Sequence, residues 1–227
     1  MPGKTAGRAS VRCQALNMQS LDAAEKHGKR LDRTSQGRRI RDADPLVFKT
    51  LDLRSAYEAH MDGVRQNTAA KKPVLHFILR FPPELLEGDD VPRKFSVPDR
   101  QMRQVEMMRQ AVRFINETHG GDAVFAARVD LDEEGETIVD VFASPKYEKR
   151  TKRTAPDQKG PMWASATKFG RELAERHQEE IRRRHPNARP GLLTGPRMVG
   201  IALQSEFAAF FQRTNGVPLE PKREKLS

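Results

Sequence analysis

Hydrophobic residues in this chain recur with two periods, and the switch between them marks out its elements. From Asp99 to Thr118, Met102, Val105, Met108, Val112 and Ile115 return every three or four residues. That spacing predicts an amphipathic helix with its methionines as core filler. Gly120 and Gly121 stop it. From Val124 to Pro145 the period falls to two. Val124, Ala126 and Arg128 alternate with Phe125, Ala127 and Val129, and Ile138, Asp140 and Phe142 alternate with Thr137, Val139 and Val141. Two strands are predicted, joined through Glu133-Glu134-Gly135-Glu136, where Gly135 can supply a positive φ. Pro73–Phe81 is apolar on both faces and bounded by prolines, as suits a strand inside a covered sheet.

The remaining segments follow the same two patterns. Val11–Met18 alternates and predicts a short strand, followed by a helical turn capped by Ser20 and ending near Gly28. Leu53, Tyr57 and Met61, four apart, predict partial helix within residues 51–72. Phe169–His185 and Met198–Arg213 predict two further helices, with Phe169, Leu173 and Ile181 on one face of the first and Val199, Leu203, Phe207 and Phe210 as the buried stripe of the second. Val217–Glu220 reads as a short strand packing back. Helix, double glycine and hairpin in succession predict an α+β fold, an antiparallel sheet with helices packed on one face. Residues 1–10 read as an unstructured start, 11–222 as one domain and 223–227 as a charged tail.

Composition adds a partner class. The chain has 227 residues, 37% of them hydrophobic and 32% charged, so a substantial core is diluted by long polar segments. Forty-one Lys and Arg against 31 Asp and Glu give a net charge of +10. This favours a polyanionic partner, nucleic acid first and an anionic membrane surface second. A single cysteine, Cys13, excludes an intramolecular disulfide and a cysteine zinc cluster, suits a reducing cytoplasm and reads as a small core residue. No apolar run approaches the roughly 20 residues of a membrane span, and no hydrophobic segment follows the basic N-terminus.

The candidate chemistry is sparse. The chain has no phosphate-binding glycine loop, no serine nucleophile elbow and no HExxH. Among six histidines, only His27 lies outside any apolar pattern, surrounded by Lys26, Lys29 and Arg30. A neutral imidazole in such a setting can act as a nucleophile or base. His76, between apolar neighbours, reads as a satisfied core or edge residue. Asp130, Asp132, Glu133 and Asp140 offer oxygen ligands of the kind Mg²⁺ or Mn²⁺ prefers. Lys146, Lys149, Arg150, Lys152 and Arg153, beside Tyr147, form a basic loop suited to phosphate. Either acids or loop can equally be solvated surface.

The order of these motifs resembles the Mob/Pre family of plasmid mobilisation relaxases, also called plasmid recombination enzymes. An N-terminal strand leads to AEKHGKR, the strand at 74–81 follows, and the helix at 99–118 runs through Thr118-His119-Gly120-Gly121 into the hairpin. A last helix precedes NGVPLEPK. The likeness covers about residues 11–222. It implies an HUH-type relaxase fold and cleavage of one DNA strand at an origin of transfer, with a covalent link to the 5′-phosphate, assisted by a divalent metal. His27 falls at the family's nucleophile and Arg30 at its phosphate-contacting arginine, with Lys26 and Lys29 beside them. The family's three hairpin histidines are replaced. The first falls on Asp130, and the second and third fall on Ile138 and Asp140 in one register or on Thr137 and Val139 in another. The family's Asp-Glu pair is kept as Asp132-Glu133. Two outcomes follow. In one, Asp130 and Asp140 hold Mg²⁺ or Mn²⁺ in place of imidazoles. In the other, no metal binds and the scaffold is a catalytically inactive, nucleic-acid-binding accessory or regulator. The chain also ends soon after the family's catalytic core, without its long C-terminal helical region.

Overall fold

The computed structural model describes residues 5–88, 91–151 and 158–220. Along the chain run β1 (Ser10–Leu16), α1 (Met18–Gly28), α2 (Arg33–Arg38), β2 (Leu46–Phe48), α3 (Leu53–His60), β3 (Arg65–Gln66) and β4 (Val74–Arg80). They are followed by α4 (Glu84–Glu87), α5 (Arg100–Thr118), β5 (Val124–Val129), β6 (Ile138–Ala143), β7 (Lys146–Glu148) and β8 (Met162–Ala164). The last elements are α6 (Lys168–Arg176), α7 (Gln178–Arg184) and α8 (Pro196–Asn215). The fold is α+β. A five-stranded antiparallel sheet has the order β1-β4-β6-β5-β2, and a smaller sheet has the order β3-β8-β7.

The alternation of each strand decides what the sheet carries on each side. Leu75, Phe77 and Leu79 of β4, Val139 and Val141 of β6, and Ala127 and Val129 of β5 face the main core. There they meet Met107, Ala111, Phe114 and Ile115 of α5, Leu173 of α6, and Leu203, Phe207 and Phe210 of α8. This is the expected helical layer on one face. The opposite face is partly closed by α1 and α3 through a smaller cluster of Leu21, Leu53, Tyr57, Phe125 and Phe142. The rest of that face carries Arg128, Asp130, Asp140 and His76.

Strict alternation in β5 fails at one point. The pairing with β6 shifts between Val124, opposite Ala143, and Ala126, opposite Phe142. This bulge sends Phe125 and Ala126 both to the α1/α3 face and turns Val124 to the main core, away from Ala126 and Arg128.

Other segments depart from the sequence pattern for local reasons. Asn17, not Ser20, caps α1, its Oδ1 accepting from Ser20 N at 2.7 Å. The charged stretch after Arg30 contains α2, whose cap Asp32 accepts from Ser35 N at 3.0 Å. The helix expected over Phe169–His185 breaks at His177, whose ring lies between Glu180 (3.3 Å) and Glu206 (3.0 Å). Thr5–Ala9, assigned to the unstructured start, instead lies against the C-terminal segment: Ala6 N donates to Pro218 O and Glu220 N donates to Gly7 O. Val217–Glu220 makes those bonds without forming a strand. Cys13, expected in the core, is exposed on edge strand β1, because α8 covers only the Val11 end of that strand. Among the described residues, no helix is long and apolar enough to cross a membrane. Residues 223–227 lie outside the described residues.

Candidate functional site

His27 sits in the last turn of α1, and α1 is fixed to the sheet at both ends. Near its start, Leu21 is fully buried among Leu16, Val74, Phe125 and Phe142. At its end, Arg128 projects from β5 and donates Nη1 to Ala24 O at 2.9 Å. A guanidinium there also complements the negative end of the helix dipole. The approach is close enough to require glycine: a Cβ on Gly28 would stand 2.1 Å from Arg128 Nη1. Directly after the helix, Arg30 takes a left-handed backbone conformation (φ +58°), which turns its side chain back under His27 toward the hairpin connection.

Three carboxylates meet it there. Arg30 Nε donates to Asp132 Oδ2 at 2.8 Å, and Nη2 donates to Asp132 Oδ1. Nη1 lies 2.8 Å from Glu133 Oε1, and Nη2 lies 3.4 Å from Asp130 Oδ1. Arg128 bridges onward, with Nε 3.4 Å from Asp130 Oδ1 and Nη2 3.5 Å from Asp140 Oδ2. Asp140 is held from its other side by His76 Nε2 at 2.7 Å, and Gln14 Nε2 lies 3.1 Å from His76 Nδ1. His76 stacks on Phe142 at 4.6 Å between ring centres. A continuous polar chain therefore crosses four strands, from Gln14 on β1 to the acids after β5. His76 is a satisfied residue, and what it satisfies is Asp140.

The acids differ in their electrostatics. The hydrogen bond from Arg30 holds the Asp132 carboxyl below the usual carboxylate range. Burial pushes Asp140 up, but the bond from His76 and the neighbouring Arg128 charge outweigh it, leaving that carboxyl below its ordinary value. Burial pushes Asp130 up, and neither Arg128 nor Arg30 fully offsets it. Asp130 Oδ1 and Glu133 Oε1 are buried without a hydrogen bond among the described residues, although guanidinium groups lie nearby.

His27 lies over this pair. Its Nδ1 is 3.4 Å from Asp32 Oδ2 and its Nε2 is 3.6 Å from Glu133 Oε1. Acids rather than lysines are the charged neighbours of the ring. One donor atom from each of His27, Asp130 and Glu133 falls within 4.8 Å of the others. One imidazole and two carboxylates suit Mn²⁺ or Mg²⁺, and the two orphaned oxygens are those an ion would engage. The residues present fit a divalent cation at this point. Asp140 stands outside the trio, occupied by His76 and Arg128. Of the two hairpin registers, the structure has Ile138 and Asp140 on this face and Val139 in the main core.

The basic residues expected to contact DNA fall into two groups. Lys26 is exposed on α1, Lys29 pairs with Glu25 (2.6 Å) and Asp52 (2.5 Å), and Arg30 lies among the acids. At the other end of the sheet, Lys146 pairs with Asp122 at 2.6 Å, Lys149 lies over Trp163, and Arg150 pairs with Glu148 at 2.8 Å. Lys152 and Arg153 lie outside the described residues. The sequence pattern assigned Arg128 no role, named no partner for His76 and did not show the closeness of Glu133 to His27. The signal for Arg128 was available in the hairpin, where an arginine and an aspartate on flanking apolar strands come directly opposite.

No family model and no curated protein matches the sequence. Among solved structures, the chain is similar to the MobM relaxase domain (MOBV; Mob_Pre) bound to plasmid pMV158 oriT DNA, in a Mn-bound crystal structure at pH 6.8. The identity is 19%, over 77% of this chain and 83% of that chain, with a TM-score of 0.48. A second structure of that domain, bound to a 23-nucleotide oriT DNA at pH 6.5, is 13% identical over 96% of this chain and 94% of that one, with a TM-score of 0.46.

Proposed function

We propose that this chain is a cytoplasmic DNA-binding protein of the Mob/Pre relaxase type that nicks one strand of a plasmid origin through His27. The observation that carries the reading is the placement of His27 over Asp130 and Glu133. With the Nδ1 proton directed to Asp32, the lone pair of Nε2 faces carboxylate oxygens. Arg30 Nη1, 2.8 Å from Glu133 Oε1, offsets part of that repulsion, and a cation held on the carboxylates alone would offset more of it while leaving the Nε2 lone pair free to attack. Asp130 and Glu133 would hold a divalent ion, which would supply positive charge to the scissile phosphate.

The residues of the chain divide the remaining work. His27 Nε2 attacks phosphorus, forming an N–P bond as the P–O3′ bond breaks, and the leaving 3′-oxygen departs with that electron pair. Asp32 fixes the ring tautomer. Arg128 and Gly28 set the height of α1 over the sheet. Arg30 orders Asp132 and Glu133 beside the ring, while Lys26 remains free to meet backbone phosphate.

The test is a nicking assay on supercoiled plasmid carrying the cognate origin, with Mg²⁺ or Mn²⁺. Nicked circles with protein linked to the 5′ end, lost in His27→Ala and Asp130→Ala, are the expected result. No nicking with either ion overturns the catalytic part. A second reading, a non-catalytic nucleic-acid-binding accessory or regulator, is favoured by one observation: Arg30 and Arg128 already lie against the same carboxylates. That reading expects origin binding without cleavage.

A further inference from the structure

The small sheet carries aromatic residues in one row of its register. In its register Arg65 of β3 is paired with Trp163 of β8, which is paired in turn with Tyr147 of β7. Paired residues project to the same side of a sheet, so these three form one row across three strands. The next row, Gln66, Ala164 and Lys146, faces the body of the protein. There Ala164 is buried, Gln66 accepts from Tyr57 and Lys146 reaches His60 O. The Arg65–Trp163–Tyr147 row therefore faces outward. Trp163 is the one tryptophan of the chain, and Tyr147 is one of its two tyrosines.

Both rings are half-buried, and each carries an ammonium group. Lys149 Nζ lies 4.1 Å from the centre of the Trp163 ring, and Lys168 Nζ lies 5.3 Å from that of Tyr147. Arg65 is exposed at the end of the row. A core ring would not need such cover. These rings are partly exposed, and the groups over them are cations, of which Lys168 also pairs with Glu172. The indole N–H of Trp163 is buried with no hydrogen-bond partner among the described residues. Adjacent aromatic rings flanked by cations match the chemistry of single-stranded nucleic acid, whose bases stack while its phosphates pair with lysine and arginine. A protein partner would find few apolar neighbours here, and duplex DNA buries its base faces.

We infer that the outward face of the small sheet is a stacking platform for single-stranded DNA, with Trp163 and Tyr147 receiving successive bases and Lys149, Lys168 and Arg65 taking the phosphates. It lies at the end of β6 away from the candidate site. From Asp140 to Lys146 the extended chain covers about 20 Å, so the platform holds strand remote from the phosphorus that His27 would attack. The inference rests on the DNA-binding reading but needs no cleavage.

The sole tryptophan makes the test direct. Oligothymidine and a duplex of equal length are titrated into the full-length protein, following Trp163 emission and, separately, the anisotropy of a labelled oligonucleotide. Single strand should quench the emission, with the same midpoint as the anisotropy change, and duplex should leave it nearly unchanged. Trp163→Leu and Tyr147→Leu should each weaken oligothymidine binding roughly five- to hundredfold. Lys149→Ala, at an exposed position, gives a second measure where a leucine variant fails to fold, and should weaken binding and lower its salt dependence. Anisotropy showing binding with the emission unmoved overturns the platform and leaves DNA binding intact. Equal quenching by duplex also overturns it. No anisotropy change with either DNA overturns the platform together with the reading it rests on.

Discussion

The substitution Gly28→Ala separates ordinary helix energetics from the contact that fixes α1. At a free helix end, alanine stabilises by about 0.5–1 kcal/mol relative to glycine. Here the added Cβ would stand 2.1 Å from Nη1, 2.9 Å from Cζ and 3.3 Å from Cδ of Arg128. That guanidinium has little room to retreat. Arg128 is 4% exposed, bonded to Ala24 O at 2.9 Å and set against Asp130 and Asp140. Displacing it loses a charge-assisted hydrogen bond, about 1.5–3 kcal/mol. It also loosens two buried ion pairs, and the complete rupture of one such pair costs about 3–5 kcal/mol. Set against the helix gain, the variant should lose about 1–4 kcal/mol. Urea unfolding of the wild type, Gly28→Ala, Arg128→Met and the double variant measures this. In the Arg128→Met background the collision is gone, so the alanine should be neutral or stabilising, giving strong coupling between the positions. A Gly28→Ala protein as stable as the wild type, or additive effects in the cycle, would refute the clamp.

Two further outcomes follow from the buried ionisable groups. Burial raises the Asp130 carboxyl, so its ionised form is a net cost to the fold; stability falls as pH rises from the ordinary value near 3.8 through the raised one. Asp130→Asn should therefore match or exceed the wild-type thermal midpoint at pH 7 without metal. It should also lose the rise in midpoint that Mn²⁺ gives the wild type, about 2.7 kcal/mol of stabilisation at a hundredfold excess over Kd. Equal Mn²⁺ responses in the two proteins would remove Asp130 from the metal site. His119 is buried beside Phe77 and Phe169, and burial lowers its imidazole from 6.5 to about 4. The unfolded chain takes up a proton below 6.5 and the fold does not until about 4, so stability is full above 6.5 and declines as pH falls across that window, by about 3 kcal/mol. Urea midpoints at pH 7 and pH 5 should converge in His119→Gln; an unchanged acid limb would place the loss elsewhere.

The parts of the fold legible in the sequence were those where one period ran undisturbed. The helix after Asp99 buries one continuous face, the strand before Pro82 is apolar on both faces, and the second strand of the hairpin alternates; their residues say so directly. Short elements were not legible, because three-residue strands such as β2, β7 and β8 contain too few positions for a period. The bulge at Phe125 was hidden for a related reason: an inserted residue in the apolar first half of a strand leaves no polar mark. Within the candidate site, His27, Asp130 and Arg30 could be named from type and order. The partners that decide their behaviour could not. Asp32 reaches His27 by capping a helix the charged segment conceals. Arg128 reaches Ala24 only because Gly28 lets it approach, and His76 reaches Asp140 through a β4–β6 register that no local pattern encodes.

The charge balance of that site separates the two readings of function. Asp130, Asp132, Glu133 and Asp140 face the guanidinium groups of Arg30 and Arg128, and Arg39 and Arg38 approach Asp132 (3.4 Å) and Glu133 (4.0 Å) from outside. The oxygens beside His27, Asp130 Oδ1 and Glu133 Oε1, are still buried without a hydrogen bond among the described residues, and a DNA phosphate brought to His27 would meet them. A divalent cation held by Asp130 and Glu133 would supply the positive charge that such a phosphate needs, and metal would then be as much a condition for admitting the phosphate as for activating it. If the site works on DNA, origin affinity should rise at least severalfold on replacing EDTA with Mn²⁺ at constant ionic strength, and Glu133→Gln should abolish the difference. If the chain only binds DNA through Lys26 and the basic residues after β6, the two arginines suffice to hold the acids together. Affinity should then be indifferent to Mn²⁺ apart from the general weakening that added salt brings.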